Sequence, residues 1–339
     1  MRYKTLGRSG LKISQLVLGG ATFGELCDED AVRSMVEAAL DRGVTTFDTA
    51  NSYGQGLSET FLGRALRGRR DQVVICTKVG SRVGDTEREH AQGRYSGYDH
   101  TARWALGISP NDQGSSRIQI RSGVEASLRR LGTDWIDVYQ VHRWDNDTPL
   151  EETLGTLSDL VHEGKIRYAG CSGYTGWQII RSMWVSERNG HASFTSTQVP
   201  YSVVTTDPER ELLPACTHAG LGVLAFQCLA GGILTGRYAQ DRRPEPGSRL
   251  AERATYRARY WNDAVFRTVE RLQSVAAATG RSLPELALGW VIAQDAVTAA
   301  LIGAERPDEV VTNLEIAERP LSPEELALVE AARSSASQP

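Results

Sequence analysis

Short apolar runs rich in β-branched residues recur along the chain, and stretches with apolar residues at helical spacing separate them. This alternation of strands and helices is typical of a parallel sheet. The strand candidates are Leu16–Leu18, Val44–Asp48, Val73–Val79, Trp135–Val141, Ile166–Cys171, Ser196–Pro200, Gly222–Phe226 and Val297–Ile302. The predicted helices are Glu29–Arg42, Glu59–Leu66, Ile118–Leu131, Leu150–Glu163, Gly176–Ser186, Pro208–Ala219, Asp263–Ala278 and Pro307–Ala317.

Eight strand–helix units in succession predict an α/β fold of the (β/α)₈ TIM-barrel type. The polar segment Tyr3–Ile13 predicts an N-terminal β-hairpin that turns around Ser9. A further helix is predicted at Pro284–Ala293, so the C-terminal part carries extra helices. We expect residues 1–339 to form one domain. The connection at 80–116 is too long for a bare barrel turn, and we expect it to fold over the functional site.

The charge balance argues against several kinds of partner. A formal net charge of −4 and an isoelectric point near 5.9 disfavour nucleic acid, since no block of Lys and Arg offers a local exception. No apolar run reaches the length of a membrane-spanning helix, and no apolar signal core follows the basic N-terminus. The five cysteines are widely spaced and lack a C-x-x-C pair, which fits neither a disulfide framework nor a zinc ribbon. We therefore expect a cytoplasmic protein with no membrane partner.

Four residues of complementary chemistry, Asp48, Tyr53, Lys78 and His142, lie at or just after the ends of predicted strands, where barrel enzymes carry their active sites. Reduction of a carbonyl group by hydride needs a proton donor, and a tyrosine with a pKa near ~10 keeps its proton at neutral pH. Lys78 would lower the pKa of Tyr53, and Asp48 would keep that lysine charged. His142 would hydrogen-bond and orient the substrate oxygen. An isolated Asp-x₄-Tyr pair or a buried lysine is more often structural, and His142 alone could equally be structural or functional, but the set predicts a carbonyl-reducing site.

Five segments, in this order and at these separations, resemble those of the aldo-keto reductase superfamily: FDTANSYGQGLSETFLGRAL, VVICTKVG, DVYQVHRWD, GKIRYAGCS and LAGGILTGRY. The resemblance runs from Tyr3 to about Glu330. It implies the (β/α)₈ barrel, usually NADPH as cofactor, and a catalytic tetrad formed by Asp48, Tyr53, Lys78 and His142. The absence of a G-x-G-x-x-G fingerprint is no objection to it, because such enzymes hold the dinucleotide across the barrel mouth.

The resemblance also implies a set of cofactor-binding residues. Gln198 would hydrogen-bond the nicotinamide carboxamide, and Phe226 would stack on the nicotinamide ring. Ser172 matches the serine of the usual Ser-Asn pair, but Gly173 follows it, so one carboxamide partner is missing. Gln227 replaces a common serine and could donate its side-chain amide. The remaining residues assigned to the cofactor by this resemblance are Gly20, Thr22, Leu229, Gly231, Gly236, Arg249, Gly303, Arg306, Glu309 and Asn313.

The segment expected to hold the adenosine departs from the usual pattern. Asn313 would face the adenine, but Glu305 and Glu309 stand where Ser or Arg and Gln or Arg often bind the 2′-phosphate. Two carboxylates would repel a phosphate unless Arg249 and Arg306 offset them. We expect NADPH as the cofactor and leave NADH open.

Aromatic residues near the predicted barrel mouth are candidates for a substrate pocket. They are Phe23, Tyr95, Trp104 and Trp144. No metal is expected, because the six histidines do not cluster. The predicted partner is a small carbonyl compound, and the sequence leaves the oligomeric state open. Three alternatives also stay open: a biosynthetic reductase of keto-sugars or polyketides, a slow redox-sensing binding module like the channel-associated members of the superfamily, and a cofactor-impaired relative.

Overall fold

The computed structural model describes residues 1–81, 83, 109, 111–245 and 248–334. Eight parallel strands within this part close into a barrel in chain order, and the last strand pairs with the first through Ala300 and Leu16. The predicted (β/α)₈ fold is therefore confirmed. The barrel strands are β3 Leu16–Gly19, β4 Thr46–Asp48, β5 Val74–Val79, β6 Ile136–Val141, β7 Ile166–Ser172, β8 Phe194–Pro200, β9 Gly222–Phe226 and β10 Ala299–Gly303.

Helices lie outside the barrel and connect its strands. They are α1 Glu29–Asp41, α2 Leu57–Ala65, α3 Arg117–Leu131, α4 Leu150–His162, α5 Gly176–Asn189, α6 Leu212–Ala219, α7 Arg249–Glu252, α8 Ala254–Tyr260, α9 Asp263–Thr279, α10 Leu283–Ala293, α11 Pro307–Glu318 and α12 Pro323–Ser334. The helices α10, α11 and α12 confirm the prediction of extra C-terminal helices. In the described part of the chain, no helix is long and apolar enough to cross a membrane.

An antiparallel hairpin formed by β1 Tyr3–Thr5 and β2 Lys12–Ser14 precedes the barrel, as predicted. It packs against the barrel interior with two fully buried side chains, Leu6 and Ile13. Their buried neighbours from five barrel strands are Val17, Cys76, Val138, Leu224 and Ala299. The hairpin thus fills the end of the barrel at which the strands begin. Polar interior residues such as Asp48 and Lys78 lie at the other end, where the strands end.

Strand side chains alternate between the barrel interior and the outer helices, since successive residues of a strand point to opposite faces. In β5, Lys78 points inward, whereas Val79 points outward and packs against Gly123 of α3. A Cβ at Gly123 would lie 2.8 Å from Val79 Cγ2, so the absence of a side chain allows α3 to approach β5 closely. The outer core therefore fixes the strand that carries Lys78.

The structure refines several predicted boundaries and adds elements that the sequence pattern did not reveal. The strand predicted from Val44 begins at Thr46, and the helix predicted from Pro208 begins at Leu212. Helices α7 and α8 were not predicted and form a short lid segment, residues 249–260. The predicted loop at 80–116 lies mostly outside the described residues.

Candidate active site

The structure brings the four predicted catalytic residues together at the mouth of the barrel. Asp48 is the last residue of β4, Lys78 lies one residue before the end of β5, and His142 directly follows β6. Tyr53 begins a 3₁₀ turn, Tyr53–Gly56, in the loop after β4. These positions share one end of the barrel because neighbouring parallel strands end there.

Lys78 is the centre of this group and is held from three sides. Its Nζ atom lies 2.5 Å from Asp48 Oδ1, 2.8 Å from the carbonyl oxygen of Thr49 and 3.4 Å from the Tyr53 hydroxyl. The side chains of Lys78 and Asp48 are almost completely buried. Burial opposes the charged form of Lys78, but Asp48 and Tyr53 more than offset it, so the pKa of Lys78 lies above its ordinary value.

The Tyr53 hydroxyl also lies near the positive charge of Lys78, but the direction of its pKa shift differs from the sequence expectation. Burial raises the pKa of Tyr53, whereas Lys78 lowers it, and the net result is a raised pKa. The expected net lowering of the Tyr53 pKa is therefore wrong. The physical reason is that desolvation of the phenolate outweighs an ammonium group that is closer to Asp48 than to Tyr53. Tyr53 keeps its proton at neutral pH.

His142 forms the wall of the site beside Tyr53. The two rings meet edge to face, with centroids 5.8 Å apart. Burial and the nearby positive charges of Lys78 and Arg143 lower the pKa of His142 to about 3. Its Nδ1 atom is buried and has no hydrogen-bond partner among the described residues. The imidazole is therefore neutral at physiological pH, where it can hydrogen-bond a substrate oxygen without charging.

Asp48 is bound through its second oxygen as well. Gln140 Nε2 lies 3.2 Å from Asp48 Oδ2, and Gln198 Nε2 also donates to this oxygen. Gln198 was predicted to contact the cofactor, but Gln140 was not predicted as a site residue. A signal for it was present, because Gln140 is a polar residue two positions before His142 and therefore faces the same interior.

Several predicted cofactor residues also surround the barrel mouth. Ser172, Gln198 and Phe226 lie at the ends of β7, β8 and β9. After β9 the chain enters a 3₁₀ segment, Ala230–Thr235, that contains the predicted cofactor residue Gly231. Gly231 and its neighbour Gly232 have positive φ angles of 68° and 94°. Gly236 follows at φ 80°. Glycine is favoured at these positions because a Cβ atom disfavours positive φ.

The lid segment covers this glycine-rich turn. A Cβ at Gly231 would lie 3.1 Å from Tyr256 and 3.3 Å from Leu250, both in the lid. The Gln227 side chain is fixed through its oxygen, which accepts hydrogen bonds from Tyr260 at 2.5 Å and Arg259 at 3.2 Å. Its amide nitrogen is therefore turned away from these two donors and can serve as a donor itself.

The remaining predicted cofactor residues lie at the ends of β3 and β10. A Cβ at Gly20 would lie 2.7 Å from Ser58 Oγ, so the chain packs closely there. The Thr22 hydroxyl donates a hydrogen bond to the carbonyl oxygen of Ala304 at 2.8 Å. A Cβ at Gly303 would lie 3.9 Å from Arg249 Nη1. The loop after β3 is thus joined to the loop after β10.

The predicted 2′-phosphate region is already occupied by internal ion pairs. Arg306 lies 3.1 Å from Asp308 and 3.3 Å from Glu309. Glu309 also accepts a hydrogen bond from the backbone N–H of Glu305 at 2.9 Å. Asn313 is buried in α11. Arg306 would therefore have to exchange carboxylate partners for a phosphate.

The predicted substrate residues separate into three groups. Trp144 is half-buried and contacts Tyr174 and Trp177 edge to face, with centroid distances of 5.1 and 5.4 Å. Phe23 is only 1% exposed and belongs to the hydrophobic core, which does not favour its predicted contact with a substrate. Tyr95 and Trp104 lie outside the described residues. Within the described ranges, no group of three or more His, Cys, Asp and Glu is placed to hold a metal ion.

Comparison with known proteins agrees with the fold. The sequence model of the Aldo/keto reductase family matches residues 15–334. The chain belongs to the aldo/keto reductase family. The matched region is nearly the whole sequence and contains the positions of Asp48, Tyr53, Lys78 and His142.

Relatives of this aldo/keto reductase include proteins with different names. The uncharacterized oxidoreductase YrpG of Bacillus subtilis is 33% identical over 337 residues, covering 97% of this chain and 95% of the relative. Versiconal hemiacetal acetate reductase of Aspergillus parasiticus is 32% identical over 341 residues, covering 97% and 96%. A probable voltage-gated potassium channel subunit beta of Oryza sativa is 33% identical over 320 residues, covering 93% and 90%. The family and the first two of these relatives support an oxidoreductase.

Proposed function

We propose that this aldo/keto reductase reduces an aldehyde or ketone to an alcohol, with NADPH as hydride donor and Tyr53 as general acid. The observation that carries the proposal is the Tyr53 hydroxyl 3.4 Å from Lys78 Nζ, which is itself held 2.5 Å from Asp48. A phenol beside a fixed ammonium group can give up its proton when an alkoxide develops nearby. The neutral His142 supplies a hydrogen bond that orients the substrate oxygen.

The residues at the barrel mouth fit a nicotinamide dinucleotide. Positive φ angles at Gly231 and Gly236 let the backbone approach a pyrophosphate closely, and Gln227 has its oxygen occupied and its amide free to donate. Ser172, Gln198 and Phe226 would hold the nicotinamide, and Leu229 lies beside the glycine-rich turn. When bound, the reduced cofactor supplies the hydride. The remaining cofactor-binding residues in the proposal are Gly20, Thr22, Arg249, Gly303, Arg306, Glu309 and Asn313.

The tetrad residues supply the proton for the reduction and stabilise the charge that remains on Tyr53. Hydride adds to the carbonyl carbon, the carbonyl π bond breaks, and the oxygen takes the Tyr53 proton. The resulting phenolate is stabilised by Lys78, whose charge is balanced by Asp48. Solvent then returns a proton to Tyr53. The same groups permit the reverse oxidation, in which the Tyr53 phenolate accepts the proton of the alcohol.

NADPH is the proposed cofactor, and NADH stays the second choice. Arg306 and Arg249 are the cations available near the expected 2′-phosphate, but Arg306 is paired with Asp308 and Glu309. A phosphate must compete with two carboxylates for the same guanidinium. We also propose a cytoplasmic location, which is supported by five free, buried cysteines.

The proposed substrate class is a small carbonyl compound, with a larger biosynthetic ketone as an alternative. The aromatic contact of Trp144 with Tyr174 and Trp177 favours that alternative, since it offers a broad apolar wall. A slow-turnover binding module is the second candidate function. It is favoured by an exposed apolar face of α5, on which Trp177, Ile180 and Trp184 are 53%, 40% and 53% exposed.

The test compares the wild type with Tyr53→Phe. We expect the variant to bind NADPH with a Kd within about twofold of the wild type, while kcat with an aldehyde such as nitrobenzaldehyde falls by about 10²-fold or more, because only the proton donor is removed. Cofactor binding is measured by fluorescence titration with NADPH and NADH, which also ranks the two. Unchanged turnover in Tyr53→Phe would refute the proposed role of Tyr53. Tight cofactor binding without turnover in the wild type would favour the binding module.

A further inference from the structure

The interior of the barrel is arranged in layers along β6. Val138 belongs to the apolar cluster sealed by the hairpin, Gln140 comes next, and His142 reaches the mouth. These three side chains share the interior because they are two residues apart in a strand. Gln140 is therefore a fully buried amide directly below the tetrad.

The neighbouring strand β7 leaves room for this amide. A Cβ at Gly170 would lie 3.0 Å from Gln140 Cγ and 2.9 Å from Ser196 Oγ, so a larger residue would displace one of them. The Gln140 side chain crosses this space and donates from Nε2 to Asp48 Oδ2 at 3.2 Å. Because an ionised carboxylate only accepts hydrogen bonds, the amide nitrogen must face Asp48. The amide oxygen of Gln140 has no hydrogen-bond partner among the described residues.

Asp48 Oδ2 has two amide donors, Gln140 and Gln198, whereas Oδ1 is bound by Lys78. The proposed function gives Gln198 a second task, which is to hold the nicotinamide carboxamide. A Gln198 amide nitrogen that turns to the cofactor would weaken or break its hydrogen bond to Asp48. Gln140 lies deeper in the barrel, below the mouth, so its contact with Asp48 would not have to change when the mouth is filled.

We propose that Gln140 is a positioning residue that holds Asp48 in place beneath Lys78 when cofactor engages Gln198. This inference rests on the proposed function. Gln140 acts through Asp48 and Lys78 and touches neither substrate nor cofactor. Without its hydrogen bond, Asp48 would depend on Lys78 alone, and Lys78 would be drawn away from Tyr53. The transfer of the Tyr53 proton would slow, whereas cofactor binding would be preserved.

The first test is Gln140→Met, which keeps the length of the side chain and removes its donor. We expect kcat to fall by about tenfold, the effect of losing one hydrogen bond to a charged group, with the Kd for NADPH within about twofold of the wild type. Val138→Ala is the matched control, since it disturbs packing on the same face of the same strand. Its melting temperature should fall while its kcat stays near that of the wild type.

The second test is Gln140→Glu, which replaces the amide by a carboxyl group. Burial beside Asp48 favours the protonated form of the introduced carboxyl at low pH, and a protonated carboxyl can donate to Asp48 as the amide does. At higher pH the carboxyl ionises and repels Asp48. The ratio of kcat in Gln140→Glu to kcat in the wild type should therefore fall as pH rises from about 5.5 to about 9, whereas the ratio for Gln140→Met should stay nearly constant.

Failure of this inference differs from failure of the proposed function. If turnover is lost in Tyr53→Phe but folded Gln140→Met keeps the wild-type kcat, the role of Gln140 is overturned and the proposed function stands. A pH-independent kcat ratio for a folded, active Gln140→Glu would overturn it as well. If Gln140→Met does not fold, the pH response of Gln140→Glu decides. Turnover that persists in Tyr53→Phe would instead overturn the proposed function itself.

Discussion

At the scale of single residues, the candidate site is governed by competition for Lys78. Its Nζ atom is closer to Asp48 and to the Thr49 carbonyl oxygen than to the Tyr53 hydroxyl. The tyrosine therefore keeps its proton before the reaction, and its pKa lies above the ordinary value because burial outweighs the lysine charge. A proton donor that is loaded at neutral pH suits the direction of reduction.

The pH dependence of turnover tests the assignment of His142 as a neutral group. Its pKa is lowered to about 3, so protonation begins only well below the ordinary value near 6.5. We expect the pH profile of kcat/KM for carbonyl reduction to show no change caused by a histidine titration between about pH 5 and about pH 8. Initial rates over this range, with protein integrity checked at each pH, provide the measurement. A wild-type limb near pH 6.5 that disappears in His142→Gln would contradict the assignment.

The sequence was sufficient to predict that Asp48, Tyr53, Lys78 and His142 lie together, because each of them is at or just after the end of a strand. It was not sufficient for Gln140, whose contact with Asp48 depends on the register between β4, β5 and β6. The direction of the Tyr53 pKa also required the structure, since the balance between burial and the Lys78 charge depends on distances that the sequence does not contain.

At the scale of elements, α2 links the Tyr53 turn to the strand that carries Lys78. Its Glu59 is fully buried, accepts a hydrogen bond from Thr77 Oγ1 at 2.6 Å, and lies 2.7 Å from Arg130 of α3. Thr77 directly precedes Lys78 in β5. A buried carboxylate with both a charged partner and a hydroxyl donor holds three elements in register.

The close contact between α2 and α3 predicts a stability effect. A Cβ at Gly63 would lie 2.2 Å from the carbonyl oxygen of Leu131, so Gly63→Ala should lower the free energy of unfolding by about 1–3 kcal/mol or more through overpacking. Gly155→Ala in α4 is the control, because its nearest neighbour is His191 Nε2 at 3.4 Å. The control should be neutral or stabilising by up to about 1 kcal/mol through helix propensity.

Urea unfolding followed by circular dichroism measures both variants. Equal stability of Gly63→Ala and the wild type would show that the two helices can separate without cost, which would contradict the close packing.

Element boundaries show where local sequence patterns lose their predictive value. Val44 has strand character, but its N–H donates to the carbonyl oxygen of Ala39 and caps α1, so β4 begins two residues later. The predicted helix at Pro208 is interrupted at Glu211, which has non-helical backbone angles. There Glu209 is held by Tyr201 and by Arg333, which comes from the distant helix α12. Long-range contacts of this kind cannot be seen in a local pattern.

At the scale of the whole molecule, the barrel has one apolar end and one polar end. The hairpin closes the first through Leu6 and Ile13, and the tetrad and cofactor-fitting residues surround the second. The sequence predicted this architecture because eight strand–helix units follow one another along the chain, and the hairpin precedes them. The lid segment was harder to predict, because α7 and α8 are short and depend on contacts with the glycine-rich turn.

The most direct test of the central claim follows the hydride itself. Wild-type protein is supplied with nitrobenzaldehyde and NADPH deuterated at the transferred position, and the alcohol is analysed by mass spectrometry. We predict one deuterium on the carbinol carbon of each product molecule, in step with cofactor oxidation, and loss of most product in Tyr53→Phe. Alcohol that carries no deuterium, or deuterated alcohol formed at the same rate by Tyr53→Phe, would contradict the account.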